Sequence, residues 1–375
     1  MSEYQYYEFA ALDGPISDEG LHYAENCSSR ADVSRVHWRN VYNYGDFHGS
    51  VDRMLQHYDA HFYIANWGTA QFAVALPQGI LDPKAVEPYL RGHRPYENTL
   101  SISDKDNRTI VWWETTEEGG WGWIEGEGIL SQLIGIREEL MRGDYRALYL
   151  GWLADFRPDE WRKSRDHTLL MPSVPSGLDR LTPALHTLLE YFPVDPDALS
   201  VAVEYTRDLR AGRIPISDAL DTLSSSEMKS FLARVADGDG MRVMSELNRL
   251  TYRKDGNEVK KAVTCVAFAE KAIKAREVRM EKEVKAAEAK RKRAAAKRKR
   301  HLKEVFERAD VIWTDFTPLM EEKKPSTYKI VAKQLKELKE AYDQAGKDDD
   351  FQTRLTEFRD LYSRRSAMMR LITEL

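Results

Sequence analysis

The feature that most constrains this chain is a stretch of 52 residues without proline or glycine, from Asn257 to Arg308. Alanine, glutamate, lysine and arginine dominate it, and these residues have high helix propensity. We therefore expect one continuous helix, about 75 Å long at 1.5 Å per residue. Between Lys285 and His301 its only apolar residues are alanines. This part of the helix is expected to lie in solvent or on a partner, because it has little to bury.

Charge is distributed unevenly along the chain. Residues 253–303 hold 19 Lys and Arg against 7 Asp and Glu, whereas residues 1–252 hold 24 against 39. Two basic clusters recur seven residues apart, which places their charges on one side of a helix. The clusters consist of Lys290, Arg291, Lys292, Arg293, Lys297, Arg298, Lys299 and Arg300.

Three interpretations of these clusters stay open. The cations could bind nucleic acid through its phosphates, which would be sequence-blind and sensitive to salt. They could instead dock onto an acidic protein surface, including the acidic part of this chain, or belong to a solvated spacer helix. No aromatic residue is interleaved with the cations, so stacking on bases is not expected.

The overall composition is that of a globular protein, with 42% hydrophobic and 31% charged residues. No apolar run approaches the roughly 18–20 residues of a membrane span, and the N-terminus lacks the pattern of a signal peptide. These observations predict a cytoplasmic protein without membrane association. Cys27 and Cys265 are far apart in sequence, so we expect two buried thiols and neither a disulfide framework nor a zinc site. No cofactor is expected.

Aromatic residues are concentrated in the first 161 residues, which contain 8 of the 9 Trp and 12 of the 18 Tyr. A large aromatic core is therefore expected in the first half of the chain. Strand-like and helical patterns alternate there without a regular βαβ order, which predicts the α+β fold class. The strand patterns are residues 4–9, 33–44, 72–76 and a hairpin of 100–103 with 109–113, and the helical patterns are residues 51–65 and 129–141.

Proline and glycine residues, together with helix-capping residues, predict three further segments of the chain after the first domain. Asp195 before Pro196 and the pair Ser224 and Glu227 are typical of helix starts. An apolar seam of heptad spacing then runs from Tyr328 to Tyr342. The predicted organisation is an α+β domain at 1–170, a helical domain at 171–252, the long basic helix at 253–310 and a helical hairpin at 311–375.

One pair of histidines has the spacing of a metal site. His57 and His61 would share one face of the predicted helix over 51–65, with Asp59 between them. A catalytic HExxH motif requires Glu directly after the first His, however, and this chain has Tyr58 there. The preferred interpretation is ordinary histidines beside an aromatic core, and the alternative is a metal site.

The stretch from 112 to 128 combines glycines, glutamates and four tryptophans. Glycine lets the backbone approach a ligand and tryptophan stacks on flat or cationic groups, so the tryptophans could line a pocket for a cationic or aromatic partner. They are Trp112, Trp113, Trp121 and Trp123. The preferred interpretation is a strand that ends in a glycine-rich turn before the helix that starts at Ile129, and the pocket is the alternative. The glycine spacing is one residue too long for a dinucleotide-binding motif.

The chain contains no Walker A sequence, no GxSxG elbow and no Cys/His nucleophile arrangement. Carboxylate pairs are so abundant that none is singled out as a general acid and base. The sequence therefore favours a protein without catalytic residues.

Three segments resemble a family of bacterial proteins to which no activity is assigned. They are residues 3–9 (EYQYYEF), 65–69 (ANWGT) and 146–153 (RALYLGWL). The resemblance covers nearly the full length and implies an aromatic N-terminal domain, a helical middle, a charged coiled stretch and a helical C-terminal module. Residues 328–338 also resemble the tail of some bacterial SWIM zinc-finger proteins, although the Cys and His ligands of that finger are absent here.

These observations lead to three functional hypotheses. The first is a non-catalytic adaptor or regulatory subunit of a cytoplasmic complex, which binds a protein partner through its first domain and its C-terminal helices. The second is a nucleic-acid-binding accessory protein of a defence or transcription-control system, which acts through the basic helix. The third is a metal-dependent enzyme that uses His57 and His61.

Overall fold

The computed structural model describes residues 3–90, 99–116, 119–120, 124–164, 166–207, 215–238, 240–251 and 263–375. The chain divides into two compact units, Met1–Glu277 and Val278–Leu375. A seven-stranded antiparallel sheet lies in the first unit and helices make up the second, which confirms the α+β fold class. No helix in the described ranges combines the length and the apolarity needed to cross a membrane.

The sheet of the first unit has the strand order β2-β3-β1-β4-β5-β7-β6, and all neighbours are antiparallel. The predicted hairpin is confirmed: its turn is formed by Asp106 and Asn107, which both have positive φ. Asp and Asn tolerate that conformation better than most residues. The strands are β1 (Gln5–Ala10), β2 (Asp32–Val33), β3 (His37–Tyr42), β4 (Ala60–Ala65), β5 (Thr69–Pro77), β6 (Leu100–Lys105) and β7 (Arg108–Thr116).

Both faces of the sheet are buried over much of its area, because side chains alternate between two cores. One face contributes Phe62, Phe72 and Trp113 to the larger core. The other contributes Phe9 and Trp38 to a smaller aromatic core beneath the first two helices. This confirms the expectation of a large aromatic core in the first half of the chain.

Short helices surround the sheet, and the larger core joins residues from both of the ranges predicted as domains, 1–170 and 171–252. Ser224 and Glu227 form the predicted capping box at the start of α11. The described helices are α1 (Asp18–Cys27), α2 (Val51–Met54), α3 (Pro83–Leu90), α4 (Ile129–Leu133), α5 (Gly135–Met141), α6 (Arg146–Ala154), α7 (Pro158–Trp161), α8 (Pro183–Tyr191), α9 (Pro196–Arg207), α10 (Ile216–Leu220), α11 (Ser225–Ala236) and α12 (Gly240–Leu250).

Two helical predictions in the first unit need correction. The pattern over residues 51–65 predicts one helix, but α2 ends at Met54 and residues 60–65 form β4. All six residues of β4 are buried, so the strand shows no alternation of polar and apolar side chains, and a short apolar run also fits a helical period. The predicted helix over 129–141 is interrupted at Ile134 and forms α4 and α5.

The predicted long helix is present as α13 (Cys265–Glu307), which has 43 residues. It begins at the larger core, where Phe268 and Ala272 are fully buried. The division between the two units falls within it, at residues 277 and 278. The part of the prediction from 257 to 262 lies outside the described residues.

The second unit contains the C-terminal part of α13 and the helices α14 (Ala309–Glu321), α15 (Pro325–Ala345), α16 (Asp348–Leu361) and α17 (Ser366–Leu371). The predicted heptad seam of α15 is buried, as Val331, Leu335 and Leu338 are fully inaccessible to solvent. Gly346 connects α15 and α16 with φ of 69°, the left-handed conformation that glycine adopts easily. These helices pack around one core.

Candidate functional site

The most exposed part of the described structure is the middle of α13. All 25 residues from Glu277 to His301 are exposed to solvent. They form a helix nonetheless, because alanine, glutamate, lysine and arginine are good helix formers. Ion pairs at i,i+4 spacing support its first turns, one between Arg279 and Glu283 at 2.9 Å and one between Glu281 and Lys285.

The basic segment, residues 285–303, carries a charge that few carboxylates offset. Between Glu288 and Glu304 there are nine Lys and Arg residues and no Asp or Glu. All eight cations of the two predicted clusters lie on α13 and are exposed, so the structure brings them together. Salt screens exposed charges at separations beyond about 10 Å at 0.1 M ionic strength, but neighbours on a helix are closer than that. The cations therefore give this part of α13 a strongly positive electrostatic potential.

One of the eight cations serves the packing of the second unit. Arg298 donates to Glu337 Oε1 at 3.0 Å and to Glu340 Oε2 at 2.6 Å, and both carboxylates belong to α15. His301 Nε2 lies 2.8 Å from Glu337 Oε1. With the buried Leu302, these contacts determine which side of α13 faces α15 in the second unit. Arg298 is therefore better described as a structural residue than as a ligand-binding one.

Arg291, seven residues before Arg298, lies on the same side of the helix as Arg298. The other six cations, together with Lys285, point away from α15 in two rows. With 3.6 residues per turn, the rows are separated by about 120° around the helix axis, and each lies about 120° from the Arg298 side. Row one consists of Lys290, Arg293, Lys297 and Arg300, at intervals of 3, 4 and 3 residues. Row two consists of Lys285, Lys292 and Lys299, at intervals of seven.

Most cations in these rows have no partner within the second unit, all of whose residues are described. Lys290, Lys292, Arg293, Lys297 and Lys299 make no ion pair with any of its carboxylates. Arg300 has only an exposed contact of 4.0 Å with Glu304, and such pairs contribute little. The rows therefore present charge that a polyanion can neutralise without first breaking a strong ion pair in this unit.

The two histidines of the alternative metal site do not share a helical face. His57 lies in the turn after α2, whereas His61 lies in β4. His61 is fully buried, stacks on Phe9 with ring centroids 4.3 Å apart, and places Nδ1 3.1 Å from the carbonyl oxygen of Glu8. Within the described ranges, no three His, Cys, Asp or Glu side chains are arranged to hold a metal ion.

Burial gives His61 a measurable effect on stability. Desolvation lowers the pKa of its imidazole to about 3, although the hydrogen bond to Glu8 acts in the opposite direction. The folded protein keeps His61 neutral, whereas the unfolded chain protonates it below about pH 6.5, so stability is lost as the pH falls.

We expect the stability difference between the wild type and His61→Phe to change by about 1.4 kcal/mol per pH unit between about pH 6 and 4. The wild type should lose stability faster on acidification, because only it carries the buried imidazole. Urea unfolding followed by tryptophan fluorescence measures this difference. A difference that is independent of pH would contradict the account of His61.

The alternative tryptophan pocket is not assembled from its two described members. Trp112 and Trp113 are neighbours on β7 and point to opposite faces of the sheet. Trp113 is fully buried, stacks on Phe72 and donates from Nε1 to the carbonyl oxygen of Ala147 at 3.3 Å. Trp121 and Trp123 lie outside the described residues.

Asp59 belongs to an ion cluster that the sequence did not indicate. The cluster lines a cavity of about 210 Å³ at one end of the sheet. Asp59 Oδ1 accepts from Arg108 Nη1 at 2.9 Å, and its Oδ2 accepts from the backbone N–H groups of Leu12 and Asp13 at 2.6 and 3.0 Å. The carboxylate thereby joins the loop after β1 to the start of β7.

Arg137 completes this cluster from α5. Its side chain is 2% exposed, donates from Nε to the carbonyl oxygen of Ala75 at 2.8 Å, and donates from Nη1 to Asp13 Oδ1 at 2.8 Å. Two guanidinium groups and two carboxylates thus partner one another in and around the cavity. The cluster binds α5 and the loop after β1 to the sheet, and its paired charges indicate a structural role. In the sequence, Arg137 is one of three consecutive charged residues between Ile136 and Leu140, and nothing distinguishes it from its neighbours.

Comparisons of the chain with family models, with curated proteins and with solved structures found no match.

Proposed function

We propose that this chain is a non-catalytic accessory protein that binds nucleic acid through the basic segment of α13. The observation that carries the proposal is the pair of exposed cation rows. Within the second unit only Lys285 and Arg300 of these rows have a carboxylate partner, and both pairs are exposed. Nucleic acid presents a dense, regular array of negative charge, and cations that neutralise it gain free energy from released counterions.

The composition of the surface favours phosphate over an acidic protein as ligand. Protein interfaces have an apolar core from which charged residues are depleted. The two rows offer cations, and the residues between them are alanines. Phosphate recognition needs no apolar core, so the basic segment matches this ligand more closely. The adaptor hypothesis also expects the first unit to bind a protein partner. That expectation stays a prediction from the sequence.

The test is binding of the intact chain to a fluorescein-labelled DNA duplex of about 20 base pairs, followed by fluorescence anisotropy. Because binding through phosphates does not depend on the base sequence, we expect a dissociation constant of about 1–100 μM at physiological salt, the range typical of non-specific binding. A second duplex of unrelated sequence should give the same dissociation constant within about threefold. A sequence-specific protein would instead lose about 1–3 kcal/mol of binding free energy for each mismatched base pair. No rise in anisotropy with about 100 μM protein at low salt would contradict the proposal.

A further inference from the structure

The arrangement of the two rows carries more information than their charge. Between them, on the side of α13 opposite Arg298, lie Ala289 and Ala296, which are seven residues apart and both exposed. At 100° per residue, these two alanines lie within about 80° of both rows. The free side of the helix is therefore a narrow, uncharged crest of two methyl groups with a row of cations on each flank.

This cross-section matches one groove of duplex nucleic acid. A helix with its side chains is about 10–12 Å wide, and the major groove of B-form DNA is about 12 Å wide with phosphates along both edges. A helix that enters with the alanine crest leading directs row one towards one phosphate backbone and row two towards the other. Larger residues on the crest would hold the helix out of the groove.

We infer that the basic segment binds in the major groove of duplex DNA, with Ala289 and Ala296 towards the base edges and the two rows on opposite strands. This inference rests on the proposed nucleic-acid binding and specifies its geometry. Alanine has no hydrogen-bonding side chain, so the contact does not read the donors and acceptors of the bases. Only an exposed length of helix can enter a groove, and residues 285–301 of the segment are all exposed.

The form of the duplex provides the first test. A-form RNA has a deep, narrow major groove that side chains cannot enter, whereas its phosphates are as numerous as those of DNA. We expect the intact chain to bind a DNA duplex about tenfold or more tightly than an RNA duplex of the same sequence in the same buffer. Equal affinities would overturn groove binding and leave phosphate binding intact.

The crest provides the second test. The double variant Ala289→Trp/Ala296→Trp keeps every charge but widens the crest. We expect it to lose the preference for DNA over RNA and to bind both with the affinity of the wild type for RNA. The matched control is Ala287→Trp/Ala294→Trp, with the same spacing on the Arg298 side of the helix, and it should retain the preference.

The other outcomes of these binding experiments also test the orientation of the helix in the groove. An unchanged preference in the crest variant, or an equal loss in the control variant, would overturn the inferred orientation. Circular dichroism confirms beforehand that both variants keep the helical content of the wild type. Binding of poly-glutamate as tight as that of DNA would identify an acidic polypeptide as the kind of ligand and would overturn the inference together with the proposed function.

Discussion

Replacing Arg137 by methionine is expected to lower the free energy of unfolding of the first unit by about 1–3 kcal/mol, because it leaves a buried carbonyl oxygen without its hydrogen-bond donor. The substitution leaves the carbonyl oxygen of Ala75 without its donor and Asp13 without its bidentate partner. Asp59 keeps Arg108 and two backbone N–H groups, so its charge is not left wholly unpaired.

Urea unfolding followed by tryptophan fluorescence measures this effect in the right part of the chain, since the first unit contains eight of the nine tryptophans. The matched control is Arg142→Met, just after the same helix, where the side chain is 66% exposed and pairs with Glu138 at i,i+4. Such a pair contributes about 0.5 kcal/mol or less. Equal losses of stability in the two variants would show that the cluster around Arg137 does not stabilise the fold as described.

Removal of the free cations from α13 is expected to reduce the affinity for duplex DNA by about 100-fold or more at low salt, because each lost phosphate contact removes one released counterion. The variant carries glutamine in place of Lys290, Lys292, Arg293, Lys297, Lys299 and Arg300. Glutamine keeps the helix propensity, and Arg298 remains to hold α13 against α15.

A control of equal charge separates the rows from the net charge of the chain. It carries glutamine at six exposed cations of the second unit outside α13, namely Lys324, Lys329, Lys333, Lys336, Arg364 and Arg370. Both variants lower the net charge by six, so a general attraction would be weakened equally in both. We expect the control to bind within about threefold of the wild type, and a similar loss in both variants would exclude the rows as the binding site.

Local signals in the sequence predicted much of the fold. The absence of proline and glycine, with good helix formers throughout, is enough to predict α13. The pair Ser224 and Glu227 determines the start of α11 through its own hydrogen bonds. Asp106 and Asn107 predict the hairpin turn, because both residues adopt positive φ in it and they are adjacent in sequence.

Features that depend on distant contacts were not predictable in this way. The ion cluster joins Asp13, Asp59, Arg108 and Arg137, which come together only when the sheet pairs its strands and α5 packs on it. His61 was placed on a helix because β4 is buried on both faces and so lacks the alternation that marks a strand. For the basic segment, the sequence predicted the exposed cations, but the role of Arg298 depends on Glu337 and Glu340 some 40 residues away.

The dependence of DNA affinity on salt tests the central claim most directly, because it counts the phosphates that the cations neutralise. The logarithm of the association constant should fall linearly with the logarithm of the salt concentration, with a slope of about −0.9 for each phosphate contacted. For the six substituted cations we expect the slope of the wild type to be steeper by about 5 than that of the six-glutamine variant, which keeps Arg291. Equal slopes for the wild type and this variant would contradict the account of α13 as a nucleic-acid-binding helix.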